Sequence, residues 1–287
     1  MGKQKRSENT YTKINTIFLR DENNIIMPYD EFVAPEFEWL RNCKFDADEK
    51  IDGTNIRIEV TRKVEDNAII WSVEFKGKTD KATIPPKLDK YLKETFTADK
   101  VLSSLGLSKN MLILDENGNA TQEMKDKKWV KINNGKLTNE FDISRVPEMY
   151  TLYGEGYGTG IQSGGYYRED VAFIGFDVKV DDMYLLRAQR DEIFNKLGAD
   201  IVPYIGQFTI GEAIEFVKKG FNSKIAQKEH LAEGLVLRTP MELKNRRGER
   251  IIFKVKTCDW NKYFNKYGTY DKVEQNKNTF LKWWMTT

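Results

Sequence analysis

The chain has 287 residues, of which 40% are hydrophobic and 12% aromatic, enough apolar material for a substantial core and too much for a disordered chain. Its 46 basic and 44 acidic side chains leave a formal charge of +2, so bulk charge argues neither for nor against a polyanionic partner. Two cysteines, Cys43 and Cys258, and a single histidine exclude a disulfide framework and a Cys/His zinc site, and no apolar run is long enough to span a bilayer.

The start, MGKQKRSENT, is basic with no apolar stretch behind it, so a soluble cytoplasmic protein is expected. Residues 16–41 mix short apolar runs with turn-prone polar ones. Asn55, Arg57 and Glu59 then alternate with Ile56, Ile58 and Val60, which predicts a half-buried strand after a turn at Gly53. Residues 69–75 repeat the pattern, so the two runs are expected to pair antiparallel. Pro85 and Pro86 introduce a helix over 87–102, with apolar positions at Leu88, Tyr91, Leu92 and Phe96.

Residues 105–141 are polar and mixed, with turns at ENGNA and NNGK, and are expected to form an excursion from the core. Strands are expected at 149–153 and 171–180, separated by the glycine-rich GEGYGTGIQSGG. Helices follow at 185–197, closed by Gly198, and at 209–219, with Thr209 as cap and Gly220 just beyond. Two strands at 234–238 and 251–255 flank the charged turn KNRRGER. The tail, 259–287, is aromatic-rich and basic, from Trp260 and Tyr263 to Trp283 and Trp284. Its rings either stack on bases or pin the terminus against the core. Frequent hairpins with helices in separate blocks predict an α+β fold on antiparallel sheets. GEGYGTG matches neither GxGxxG between a strand and a helix nor GxxxxGK[ST], which sets aside dinucleotide-fold and Walker readings.

Four polar clusters interrupt the apolar strands. In EKIDGTN, Lys50 stands just before a tight glycine turn with Asp52 two residues on, a placement suited to a nucleophilic lysine. Glu155 follows an apolar strand in YGEG. Asp177 interrupts AFIGFDV, where a buried carboxylate needs a partner or a metal. Glu233 precedes a strand in HLAEGLVLRT, and Lys254 and Lys256 in IIFKVKT point to one strand face because they are two apart. Two lysines on one face of an apolar strand call for anions, and phosphate is the natural one.

In order and context these clusters resemble the motifs of the covalent nucleotidyltransferase superfamily of ATP-dependent ligases and RNA capping enzymes. KIDGTN resembles motif I (KxDGxN), YGE motif III, FIGFDV motif IIIa, EGLVLRT motif IV and FKVKT motif V. The resemblance is closest to the ATP-dependent RNA ligases, of the phage double-strand RNA repair type. It implies a ligase adenylation fold over 1–258, with antiparallel sheets flanking an ATP groove, and a separate tail over 259–287.

Carried over residue by residue, the resemblance implies that Lys50 attacks the α-phosphate of ATP and holds AMP. Glu49 and Ile51 flank it in the nucleotide-binding set, Glu155 bonds the ribose, Phe176 stacks on adenine, and Lys254 and Lys256 contact the α-phosphate. Asn55, Asp177 and Glu233 are the implied donors toward Mg²⁺ or Mn²⁺, and Asp52 and Asp177 orient this set. GKTDKA resembles motif Ia, with Lys78 where relatives commonly have arginine; lysine keeps the charge but loses the bidentate fork. The implied partner is RNA with 5′-phosphate and 3′-hydroxyl ends. DNA ligases and capping enzymes usually add an OB domain after motif V, and the 30 residues after Thr257 are too few for one. A non-catalytic RNA-binding relative would have lost Lys50 or a motif V lysine, and both are kept.

Overall fold

Residues 10–28 and 32–267 are described by the computed structural model. Among them, in chain order, run β1 (Phe45–Glu49), β2 (Thr54–Glu65), β3 (Ala68–Gly77), β4 (Asn110–Leu112), β5 (Val130–Asn133), β6 (Lys136–Phe141) and β7 (Met149–Gly158). They are followed by β8 (Val171–Val180), β9 (Met183–Tyr184), β10 (Asp200–Ile201), β11 (Tyr204–Phe208), β12 (Gly234–Arg238) and β13 (Ile252–Lys256). The helices are α1 (Pro35–Trp39), α2 (Pro86–Thr95), α3 (Ala98–Ser104), α4 (Gln122–Asp126), α5 (Arg187–Leu197), α6 (Ile210–Lys219) and α7 (Thr257–Tyr267). This is an α+β fold. The chain forms two units: one takes in Tyr11 and Gly53–Ile201, the other Thr12–Asp52 and the described residues from Val202.

The first unit is built on a sheet of order β10-β8-β7-β2-β3-β4, with β9 added beside β8. Its pairings are antiparallel except β8–β10, which is parallel. Ile56, Ile58 and Trp71 from the sheet pack with Leu88, Leu92, Phe173 and Phe194 in one core. The expected antiparallel pairing of 69–75 with the strand before it is present in full register.

Three local expectations need correction. The helix over 87–102 is two helices, because Phe96 turns into the core at φ −110°, ψ 70° and Thr97 starts α3. The strand read as half-buried is buried on both faces from Ile56 to Val60, and Arg57 and Glu59 are as enclosed as the isoleucines. The glycine-rich segment does not begin a loop: β7 continues through Gly158. Its glycines serve packing, since a Cβ on Gly154 would sit 2.3 Å from the Phe173 ring and one on Gly156 would sit 2.1 Å from Leu88. Gly154→Ala is therefore expected to cost about 1–3 kcal/mol by overpacking. A denaturant midpoint equal to that of the unsubstituted protein would contradict this.

Residues 105–141 hold an apolar minority that joins this core, with Met111, Met124, Trp129 and Val130 fully or almost fully buried. From there the β5–β6 hairpin runs through Asn134 and Gly135, both at positive φ, the two-residue turn that NNGK favours.

The second unit carries the sheet β11-β1-β12-β13, antiparallel throughout. Ile17, Phe37, Phe45, Leu235 and Phe253 form its core with Ile214 and Val217 of α6. Thr209 caps α6 as expected and Glu212 closes the reciprocal capping box. Trp260 and Tyr263 of α7 are buried in the same core, so these tail aromatics pack rather than stack on a ligand. Tyr270, Phe280, Trp283 and Trp284 lie outside the described residues. Among the described residues no helix is long and apolar enough to cross a membrane.

Candidate active site

β1 is buried along its whole length between β11 and β12, so the chain is held firmly up to the point where it leaves the sheet. Lys50 is the first residue beyond it, and its backbone N–H donates to Gly234 O at 2.9 Å, extending the β1–β12 ladder by one bond. Glu233 immediately precedes β12, and Lys256 on β13 stands opposite Gly234. One end of this sheet therefore gathers groups far apart in sequence. Lys50 Nζ donates to Glu233 Oε2 at 2.6 Å, and Lys256 Nζ lies 2.9 Å from Glu233 Oε1. Lys254 lies on the same face of β13 as Lys256, since Phe253 and Val255 point into the core.

Two ammonium groups thus share one carboxylate, with a third lysine on the same strand face. Lys254 makes no ion pair among the described residues. Burial, reinforced by repulsion from Lys50 and Lys256, holds its ammonium below the usual lysine range, and Glu233 offsets this only in part. On Lys256 burial is the largest influence and opposes the charge, but the hydrogen bond to Glu233 and the attraction of nearby negative groups together outweigh it and raise the pKa. A group whose folded pKa is depressed makes protonation costly to the folded state, so Lys254 contributes a rise in stability with pH just below the ordinary lysine value. Nitrogen-15 NMR of the lysine side chains is expected to show Lys254 titrating below that value. Added triphosphate should move it upward. A Lys254 resonance at or above the ordinary value without ligand would contradict the charge imbalance.

The neighbours of Lys50 are fixed. Glu49 is buried, accepts from the Ser223 hydroxyl and from the Lys224 backbone N–H at 2.8 Å, and has its carboxyl pushed up by burial despite these bonds. Ile51 is buried, and Asp52 is half-buried.

The remaining expected residues lie in the first unit, on its sheet or, for Lys78, just beyond a strand. Gly53 is required by space, because a Cβ there would stand 2.5 Å from Gly156 O. Two residues on, Asn55 opposes Glu155 directly across β2 and β7. Asn55 Oδ1 is buried with no hydrogen-bond partner among the described residues, an acceptor whose burial costs about 1–3 kcal/mol unless a ligand meets it. The register slips between β7 and β8 at Tyr153 and Gly154, and Phe176 lies in that irregularity beside Asp177. Asp177 is fully buried and accepts from the Tyr11 hydroxyl at 2.6 Å, while the Tyr11 ring meets Phe176 edge-on at 5.0 Å. Lys78 is exposed on the loop after β3.

That loop is anchored by Arg57. Its guanidinium donates to Gly77 O at 2.9 Å, to Asp80 at 2.7 Å and to Glu59 at 2.6 Å, and Lys76 reaches the other oxygen of Glu59 at 2.7 Å. Tyr11, Arg57 and Ser223 are the contributors that sequence reasoning missed. For Arg57 a signal existed: an arginine and a glutamate two apart on a strand share a face and can pair there.

No group of three or more His, Cys, Asp or Glu side chains that could hold a metal occurs among the described residues. The first unit offers a single hard oxygen, Asn55 Oδ1, and the second a Glu233 carboxylate already matched by two ammoniums. Each taken by itself suits only a Mg²⁺ or Mn²⁺ ion that keeps water and phosphate oxygens as most of its ligands.

The α+β fold is consistent with the architecture of a ligase adenylation domain. Residues 44–256, well over half of the chain, match the family model described as RNA ligase, and the chain belongs to that family. Two solved mutants of Naegleria gruberi RNA ligase, each with ATP and Mn, align with a TM-score of 0.50. They share 15% and 16% identity over 92% and 91% of this chain, a likeness of fold. The chain spans 59% of the length of those ligases. A search of curated proteins gave no match.

Proposed function

We propose that the protein is an ATP-dependent RNA ligase that joins 5′-phosphate and 3′-hydroxyl RNA ends through a lysyl-AMP intermediate. The observation that carries this reading is the set of three lysines around Glu233, with Lys50 at 2.6 Å and Lys254 half-buried without an anion of its own. A site with that surplus of positive charge is suited to phosphate, and a lysine within it is suited to attack one.

Lys50 Nζ, after giving up a proton for which Glu233 is the adjacent acceptor, forms a bond to the α-phosphorus as the bond to pyrophosphate breaks. The AMP then passes to a 5′-phosphate, and a 3′-hydroxyl displaces it to form the phosphodiester. Lys254 and Lys256 stabilise charge on the α-phosphate oxygens, and Lys78 serves as a further phosphate contact. Glu49, Ile51 and Asp52 hold Lys50 in place, Glu155 takes the ribose hydroxyls and Phe176 the adenine. Asp177 acts through Tyr11 in positioning Phe176. Asn55, Asp177 and Glu233 are the proposed donors toward Mg²⁺ or Mn²⁺, and the ion would supply further charge neutralisation at phosphate. The motif set supports residues 1–258 as the catalytic domain and the phage double-strand RNA repair subtype.

Incubation with Mg²⁺ and ATP labelled at the α-phosphate is expected to leave label on the denatured protein, and subsequent addition of 5′-phosphorylated RNA should release it. Label from GTP instead would transfer the protein to capping chemistry. Label from neither would overturn the reading.

A further inference from the structure

Away from the lysine centre, the second unit exposes a tryptophan that the fold does not use. Trp39 ends α1 with 72% of its surface in solvent, although Phe37 two residues earlier is buried. It lines a groove of about 970 Å³ together with Val33, Leu40, Leu243 and the charged turn between β12 and β13. That turn presents Lys244, Arg246 and Arg247, all exposed, and neither Arg246 nor Arg247 makes an ion pair among the described residues.

The turn is held in shape from within. Asn245 Oδ1 accepts the backbone N–H groups of Arg247 at 2.9 Å and Glu249 at 3.0 Å, and Lys244 bridges to Arg250 across the base. Two acidic residues also line the groove, Glu36 and Glu249, and the Glu249 carboxylate is taken by the Asn245 side-chain amide at 3.0 Å. Arg250 is matched by Glu242 at 2.6 Å and adds no free charge. The net result is a flat, uncovered ring beside a pre-ordered cationic turn. A ring of this kind offers a stacking platform to an unpaired base, and adjacent guanidiniums suit the phosphates on either side. A protein partner would match the tryptophan but not the paired arginines unless it were acidic, whereas a single-stranded polyanion with planar bases meets both.

We infer that this groove binds a single-stranded segment of RNA, with Trp39 stacking on a base and Arg246 and Arg247 holding its phosphates. The inference deepens the RNA ligase reading by adding a substrate-docking surface outside the nucleotidyl-transfer residues, and it rests on that reading for the identity of the polyanion.

The test uses the full chain without nucleotide and a fluorescent 5′-phosphorylated single-stranded RNA. Trp39→Ala is expected to weaken binding about tenfold, and Trp39→Phe to restore most of it. Arg246→Ser with Arg247→Ser should lower the slope of log affinity against log salt by about 1.4, the loss of two phosphate contacts on a single strand. Neither set should alter AMP attachment from labelled ATP. Unchanged RNA affinity in both sets would overturn the inference, as would duplex RNA competing equally with the single strand. So would a fall in solution mass for Trp39→Ala with unchanged RNA binding, which would mark a protein interface. A wild-type protein that takes no AMP yet binds RNA through Trp39 would overturn the ligase reading alone and support the groove.

Discussion

Replacing Lys50 by alanine is expected to abolish AMP attachment completely while the protein stays folded. The first part follows from the proposed chemistry: in it the Lys50 amine forms the bond, and Lys254 and Lys256, which project from a different strand, are not placed to replace it. The second part follows from the structure. Lys50 lies beyond β1, its side chain is partly exposed, and its backbone bond to Gly234 does not depend on the side chain. Its removal leaves Glu233 still paired with Lys256 at 2.9 Å, so no carboxylate is orphaned. The measurement is label retained through denaturation, read beside the circular dichroism melt. Label at wild-type level in the variant would refute Lys50 as the nucleophile. An unfolded variant would refute the account of its surroundings.

The largest loss of stability is expected at Arg57, at about 3–5 kcal/mol for Arg57→Ala. Its side chain has no exposure and Glu59 has 2%, so truncation leaves a buried carboxylate with Lys76 as its one remaining ion-pair partner among the described residues. It also strips the donors from Gly77 O and Asp80 and so frees the loop that carries Lys78. Replacing both partners, Arg57→Met with Glu59→Leu, should recover much of the loss, because the buried charges then vanish together. Urea unfolding of the two variants distinguishes these expectations. A loss under about 1 kcal/mol for Arg57→Ala would mean that the network is hydrated rather than sealed.

Most of the second unit's chemistry was legible in the sequence, because the informative residues sit at strand ends and are spaced by strand geometry. Lys254 and Lys256 share a face by their spacing alone, and Glu233 stands at the mouth of the same hairpin. The first unit was harder to read. Period-2 alternation at Asn55–Val60 assigns side chains to two faces but does not say whether the polar face becomes covered, and here it does. Covering it takes partners from elsewhere: Asp80 and Lys76 for the Arg57 network, and Tyr11, 166 residues from Asp177, for the other carboxylate. Contacts of that span leave no trace in a local pattern. The split between α2 and α3 was hidden for a related reason. Phe96 continues the apolar spacing of a helix, and only the core it turns into decides that the helix stops.

The division of the chain has a consequence for its synthesis. Residues Gly53–Ile201 are an insertion in the course of the second unit, whose sheet needs strands from both sides of it. As the ribosome delivers the chain, β1 emerges early and finds no neighbour, because β11 and β12 follow only after Val202. The inserted sheet has all its strands by Ile201 and can assemble first. Lys50 meets Glu233 across 183 residues and shares it with Lys256, which arrives later still. A chain halted between Val202 and the last strand would hold a finished sheet of one unit and no lysine centre in the other, so the lysines gather around Glu233 only once that strand has been made.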